Sequence, residues 1–146
     1  ANSYNIKELK KSAAIIRNPY DRLKSCYKYF KMDNNYWSKK YGNPKYHDYC
    51  KKNSFKKFVD DLHSKKLVFD IHLQPQVYFL KKNGVIYTKL IRLEHMNEDF
   101  KKIFNKDIEI SLINKSNHID IKLDKETKNK IYEIYKEDFE LLGYSK

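Results

Sequence analysis

Glycine and proline are scarce, with three of each in 146 residues. Long flexible linkers therefore have little to be made from, and this length suits one domain with its own core. No apolar run reaches the roughly 18 residues that a membrane-spanning helix needs. No signal peptide is visible, and the chain opens on Ala1 rather than Met, so a removed upstream signal or anchor is compatible with it. Cysteine is nearly absent. Cys26 and Cys50 could form one bridge but not a disulfide framework, and no CxxC pair exists. His47, His63, His72, His95 and His118 are scattered without metal-site spacing, so no metal is expected.

What is abundant is cationic and aromatic. Apolar residues make up 40% of the chain and aromatics 15%, enough to fold and against global disorder. Lys and Arg total 31 against 19 acids, a net charge of +12. That balance favours anionic partners such as phosphates, nucleic acid, sulfated sugars or lipid headgroups. It does not choose among them, and a Lys-biased composition gives the same total.

The first clear element is a strand from Ser12 to Arg17, whose run Ala13-Ala14-Ile15-Ile16 fits a buried parallel strand. Asn18 is a good N-cap, Pro19 suits the first helical position, and Asp21 favours the helix dipole. The spacing predicts a helix to about Phe30, burying Leu23, Cys26, Tyr27 and Phe30. Residues 32–53 hold no strong period and read as a long ordered loop, with Gly42 and Pro44 as breakers. Within it Tyr36, Trp37, Tyr41 and Tyr46 lie among lysines. They either stack on sugar rings or bases, or serve a solvated loop and part of the core.

Ser54 can cap a second helix with Phe55, Phe58, Val59 and Leu62 inward. Pro75 interrupts the segment from Asp70 to Leu80. A turn at Asn83-Gly84 precedes a strand, Val85 to Leu93, and Asn97 can cap a helix carrying Phe100, Ile103 and Phe104. A strand Ile108 to Ile113 and a polar loop to His118 follow. A last helix from near Asp124 buries Ile131, Ile134, Tyr135, Phe139 and Leu142, and Gly143 is a natural C′ residue. Strands alternating with helices predict an α/β layer fold. So few strands are visible that part of the sheet is expected outside this chain.

The first strand–helix junction has the makings of an anion site, because a helix start presents main-chain N–H groups and a positive dipole end. Arg17 ends the strand with a planar fork of donors. At roughly 100° per residue, Arg22, Ser25 and Tyr29 fall within about 60° of one another, roughly 100° from the apolar stripe. Arg22 and Ser25 are thus not core positions by periodicity. Ordinary capping, a surface Arg and a helix Ser is the plainer account of each residue taken singly.

The residues from Arg17 to Tyr27 resemble the R-[ND]-P-x-x-R-x-x-S-x-Y signature of sulfotransferases that use 3′-phosphoadenosine 5′-phosphosulfate (PAPS). Phe55 to Leu62 looks like that family's F-x-x-F-V helix, and Asp70 to Gln76 like its D-x-H-x-x-P-Q segment. Arg92-Leu93-Glu94 with Asp99 looks like R-L-E-x-x-x-x-D, and Asn114-Lys115-Ser116 like N-x-S. Tyr135 to Tyr144 resembles Y-x-x-D-F-x-x-x-G-Y. The set covers nearly the whole chain in order and is most similar to the membrane-anchored carbohydrate sulfotransferases of the chondroitin and HNK-1 type.

The resemblance implies a P-loop-kinase-like fold, a parallel sheet flanked by helices. It assigns Arg17 and Ser25 to the 3′-phosphate of PAPS, with Arg22 either beside them or pairing structurally. The Lys-bearing turn that holds the 5′-phosphosulfate in the family has no counterpart before Ile15. Residues 1–146 then correspond to the C-terminal two-thirds of one sulfotransferase domain. The implied reaction is in-line sulfuryl transfer from PAPS to a hydroxyl of a carbohydrate or similar acceptor. His72 is the residue to test as acid/base or acceptor contact, the alternative being a structural His in a turn. Gln76 either binds sugar hydroxyls or stabilises that turn, and Glu94 and Asp138 read as caps or buried partners. The implied compartment is the cytoplasm for a bacterial or viral member and the Golgi lumen for a processed eukaryotic one. The rival reading is a non-catalytic module binding nucleotide or polyanion on the same fold. A nucleic-acid binder has only the charge and aromatics behind it, without a recognition motif.

Overall fold

The computed structural model describes residues 12–33, 44–107 and 120–146. In chain order they form β1 (Ala13–Ile16), α1 (Pro19–Lys31), α2 (Pro44–Lys52), α3 (Phe55–His63), a 3-10 turn (Ile71–Leu73), α4 (Val77–Leu80), β2 (Lys81–Lys82), β3 (Val85–Ile86), β4 (Lys89–Arg92), a second 3-10 turn (Leu93–His95), α5 (Met96–Phe104), α6 (Lys125–Ile134) and α7 (Lys136–Leu142). The expected strand Ile108 to Ile113, the loop Asn114 to His118, and Tyr36, Trp37 and Tyr41 lie outside the described residues. The chain divides into two compact units. A strand unit holds described residues 12–18, 75–107 and 137–146, and a helical unit holds 19–33, 44–74 and 120–136.

The strand unit is a small parallel sheet flanked by helices, the α/β arrangement the sequence predicts. β1 pairs in parallel with β4, Ala13 opposite Lys89 and Ile16 opposite Arg92. Ile16, Val77 and Leu142 form its core, with Leu80, Ile86, Leu90 and Tyr144 packed against them. The expectation of a strand buried on both faces is corrected at Ile15, which is 61% exposed while Ile16 is 1% exposed. Successive strand side chains face opposite ways, and here the Ile16 side is the covered one.

The single strand expected over Val85 to Leu93 is two strands. β3 pairs back onto β2, and β4 pairs with β1. One straight segment cannot serve both partners, so the chain bends at Tyr87-Thr88. There the Thr88 hydroxyl and the Lys89 N–H both donate to the Ser12 carbonyl. Asn83 and Gly84 form the β2–β3 turn at φ 51° and 78°. A type I′ turn requires positive φ at both positions, which Gly meets without steric cost and Asn tolerates. α5 begins at Met96 with His95 in the cap position, so Asn97 lies inside the first turn and is not the cap. At the end of α7, Gly143 has φ 76° and Tyr144 donates its N–H to the Phe139 carbonyl at 3.1 Å. That is the 6→1 bond of a Schellman motif.

In the helical unit, α1 buries Leu23, Tyr27 and Phe30, as its spacing predicts. Cys26 is only half-buried and is not joined to Cys50. It is the stripe residue nearest the Ser25–Tyr29 side of the helix, which accounts for its partial exposure. Ser54 caps α3 by accepting the Lys57 N–H, and Phe55, Phe58, Val59 and Leu62 are buried. The loop reading of residues 32–53 is corrected by α2. Pro44 stands at the first helical position, where its missing N–H costs nothing. Tyr46 and Cys50, one helical turn apart, are both buried, and burial pushes the Cys50 thiol up to about 12. The single last helix is also corrected. It breaks at Tyr135, whose buried hydroxyl donates to the Leu73 carbonyl at 2.9 Å.

Asp124 caps α6, accepting the Thr127 N–H at 2.7 Å. The Thr127 amide and hydroxyl, helped by Lys56, hold its carboxyl at about 2. A depressed carboxylate contributes fully above its unfolded value of about 3.9 and loses that contribution as pH falls through the folded one. Asn caps as well as Asp but does not titrate. Asp124→Asn should therefore give a shallower fall in melting temperature between pH 4 and pH 2 than the parent. Superimposable melting profiles would refute this.

Candidate functional site

Three motifs far apart in sequence meet at the end of β1. The side-chain amide of Gln76 grips the Arg17 main chain from both sides. Its Oε1 accepts the Arg17 N–H at 2.9 Å, and its Nε2 donates to the Arg17 carbonyl at 2.9 Å. Gln76 is itself held by Asp138, which is fully buried. Asp138 accepts the main-chain N–H groups of Gln76 and Val77, each at 2.9 Å, and the Gln76 amide at 3.4 Å. Glu94 accepts the Asn18 N–H at 2.6 Å and the Tyr144 hydroxyl at 3.1 Å. Burial, and then the Glu94 charge, push the Tyr144 phenol up.

Glu94 is placed in turn by the neighbouring fork. Arg92 Nε and a terminal nitrogen each reach the Asp99 carboxylate at 2.8 Å, and the Arg92 N–H adds a third bond at 3.0 Å. This bidentate pairing holds the Asp99 carboxyl well below the usual range. The R-L-E-x-x-x-x-D stretch is thus a brace for the strand end. Gln76 engages both ends of its amide inside the protein, so its place in the fold is that of a clamp on Arg17.

The helical unit gathers a second set of the expected residues. Ser25, Cys26, Tyr29 and His72 line an open cavity of about 480 Å³. His72 sits in the 3-10 turn capped by Asp70. The Asp70 carboxylate accepts both the His72 N–H at 3.0 Å and the ring Nδ1–H at 2.5 Å. A carboxylate only accepts, so Nδ1 carries the proton and Nε2 is the acceptor nitrogen of the neutral ring. The imidazole packs against Tyr29 and Phe30, with ring centroids 5.8 and 6.0 Å away. Arg22 donates to the His72 carbonyl at 2.8 Å, and its guanidinium lies 5.9 Å from the centre of the Tyr135 ring. The Cys26 thiol is 3.4 Å from the same carbonyl. Arg22 therefore braces the His72 turn from beneath.

The Ser25 and Tyr29 hydroxyls can donate into this cavity, and among the described residues that line it none is a carboxylate, a lining compatible with an anion. The structure groups Ser25 with His72, and Arg22 with their support, in one unit. It groups Arg17 with Gln76 in the other. Asp70 was not among the residues singled out from the sequence. Its signal was the two-residue step of D-x-H, which lets a carboxylate bond both the amide and the ring of the histidine. Among the described residues no group of three or more His, Cys, Asp or Glu could hold a metal ion. No described helix is long and apolar enough to cross a membrane.

The family model described as the sulfotransferase family matches residues 2–145. No curated protein and no solved structure matches the chain.

Proposed function

Because the chain belongs to the sulfotransferase family, whose chemistry is sulfuryl transfer, we propose that its donor is PAPS and its acceptor a hydroxyl of a carbohydrate or similar molecule. The observation that carries this reading is the fixing of the Arg17 and Asn18 main chain, by Gln76, which Asp138 holds in turn, and by Glu94. A strand end so fixed gives the Arg17 guanidinium a stationary root, which is what a fork of donors needs to meet a phosphate with little loss of entropy. The family motif assigns Arg17 and Ser25 to the 3′-phosphate, and the hydroxyls of Ser25 and Tyr29 can donate to an anion. Arg22 contributes through the His72 turn. Bound PAPS would supply the sulfuryl group, its S–O bond to the 5′-phosphate breaking as the bond to the acceptor oxygen forms.

His72 has two possible duties. Asp70 fixes its tautomer and leaves Nε2 to take a proton from an acceptor hydroxyl, while in the protonated ring Nε2–H would instead donate to an anion in the cavity shared with Ser25. His72→Asn separates them. A lower kcat with unchanged nucleotide binding marks proton transfer, and weaker nucleotide binding marks an anion contact. A variant unchanged in both leaves His72 a purely structural residue.

The reading is tested with the PAPS product, 3′-phosphoadenosine 5′-phosphate (PAP). At about 100 times its Kd a ligand adds roughly 2.7 kcal/mol to stability. For a chain of this length that should raise the melting temperature by roughly 5–10 °C. Adenosine 5′-phosphate, which lacks the 3′-phosphate, should give a clearly smaller rise. Equal shifts from the two nucleotides, or none from PAP, would overturn the assignment. Sulfate transfer to glycan hydroxyls, followed by mass, then tells an enzyme from a module that only binds.

A further inference from the structure

Ser25 and His72 line the same open cavity of the helical unit, and the His72 side chain is about half exposed there. Asp70 holds the Nδ1–H of the ring at 2.5 Å, and no hydrogen bond among the described residues engages Nε2. The Asp70 carboxylate is not part of the cavity lining; it sits at the Nδ1 edge of the ring. The surrounding elements bring further titratable or charged groups to this turn. From α1 come Arg22, Cys26 and Tyr29, from α6 Tyr135, and from α2 Tyr46, which meets the Asp70 main chain. Arg22 is engaged by the His72 carbonyl at 2.8 Å and Tyr135 by the Leu73 carbonyl at 2.9 Å. Asp70 is the one carboxylate in this set.

We infer that His72 is a charged contact of the 3′-phosphate, its ring taking a second proton from solvent as the anion enters; the inference rests on the PAPS reading above, which puts that phosphate at Ser25. The cationic ring keeps Nδ1–H on Asp70 and donates Nε2–H to a phosphate oxygen. Placement favours this duty over proton transfer from an acceptor. In PAPS the 3′-phosphate and the sulfuryl-bearing 5′-phosphate hang from different carbons of the ribose. A residue that shares the cavity of Ser25 therefore stands at the end away from the reaction. Charge favours it too. A neutral ring would turn an Nε2 lone pair toward the phosphate, whereas the cation offers a charge-assisted donor. Asp70 balances the added charge from the far edge of the ring without facing the anion. Imidazole ordinarily takes its second proton at about pH 6.5, so nucleotide affinity becomes linked to pH in the physiological range.

Isothermal titration of the whole chain with PAP, at pH 5.5 and at pH 9, tests this with His72→Asn beside the parent. One charge-assisted hydrogen bond is worth about 10- to 150-fold in affinity. His72→Asn should weaken PAP by that factor at pH 5.5 and by less than about twofold at pH 9, where imidazole is neutral. Protonation of the nucleotide itself affects parent and variant alike and drops out of the ratio. A purely structural histidine would cost the same at both pH values, and a base would cost kcat rather than affinity. NMR of the parent needs no variant to fold. Saturating PAP should raise the titration midpoint of the His72 Cε1–H signal by about 1–2 pH units, the same linkage seen from the proton. An equal loss at both pH values, no loss at pH 5.5, or a midpoint that bound PAP leaves in place would overturn the inference. PAP bound in preference to adenosine 5′-phosphate with an unmoved midpoint removes this inference alone. If PAP does not bind, the PAPS reading falls, and inorganic sulfate takes its place as probe, with chloride at equal ionic strength as the control. A midpoint raised by sulfate then keeps His72 as an anion contact, and an unmoved one removes both.

Discussion

Replacing Asp138 with alanine should lower the melting temperature by roughly 6–20 °C and take the response to PAP with it. Asp138 is fully buried and accepts three donors, the main-chain N–H groups of Gln76 and Val77 and the Gln76 amide. A buried donor stripped of its acceptor costs about 1–3 kcal/mol. Three together, partly compensated by entering water, amount to about 3–5 kcal/mol, and at this length each kcal/mol is about 2–4 °C. The loss does not stay local. Val77 belongs to the core with Ile16 and Leu142, and Gln76 is the clamp on Arg17. Asp138→Asn should rescue only part of the stability, because its NH₂ replaces one acceptor with a donor aimed at an N–H group. Thermal melts of the two variants decide the matter. An Asp138→Ala protein as stable as the parent would mean the carboxylate is not the keystone of the strand end.

Arg17→Ala should behave in the opposite way, with little effect on the unliganded fold and a large one on PAP. Gln76 binds the main chain of Arg17, and those bonds survive truncation of the side chain. Removing one charge-assisted contact costs about 1.5–3 kcal/mol, which is a loss of affinity of about 10- to 150-fold. At about 100 times the parent's Kd for PAP, the variant's shift should fall to about half of the parent's for a tenfold loss and to about a tenth for a 150-fold loss. Arg17→Lys should restore charge but not the planar fork, and so recover only part of the affinity. Isothermal titration with PAP measures all three proteins directly. Parent-like affinity in Arg17→Ala would remove Arg17 from the phosphate site while leaving the role of Gln76 as a clamp untouched.

Much of this protein was legible in near-neighbour spacing. The stripe Leu23, Tyr27 and Phe30, the cap Ser54, the helix start near Asp124, the Asn83-Gly84 turn and the left-handed Gly143 all depend on residues within about one helical turn or one hairpin. The motif order likewise pointed to the family that residues 2–145 match. Pro44 shows where such reading fails. The same residue ends one segment and starts the next, and only the burial of Tyr46 and Cys50 against neighbouring elements selects the helix. Ile15 was misplaced for a related reason, since an apolar run does not say which of its faces a neighbour will cover.

Residue types and their spacing determined the strand–helix start, its cationic and hydroxyl side chains, and the charge that favours an anionic ligand. Tertiary structure alone decided what each motif residue does. Asp138 meets Gln76 across 62 residues of chain, and Glu94 reaches Asn18 across 76. Such bonds have no period to betray them, because a hydrogen bond requires only that two groups end up within about 3 Å with suitable geometry. That is why the sequence proposed Arg17, Ser25 and His72 as candidates, while the fold showed that Gln76 holds Arg17 and that Asp70 bonds the ring of His72.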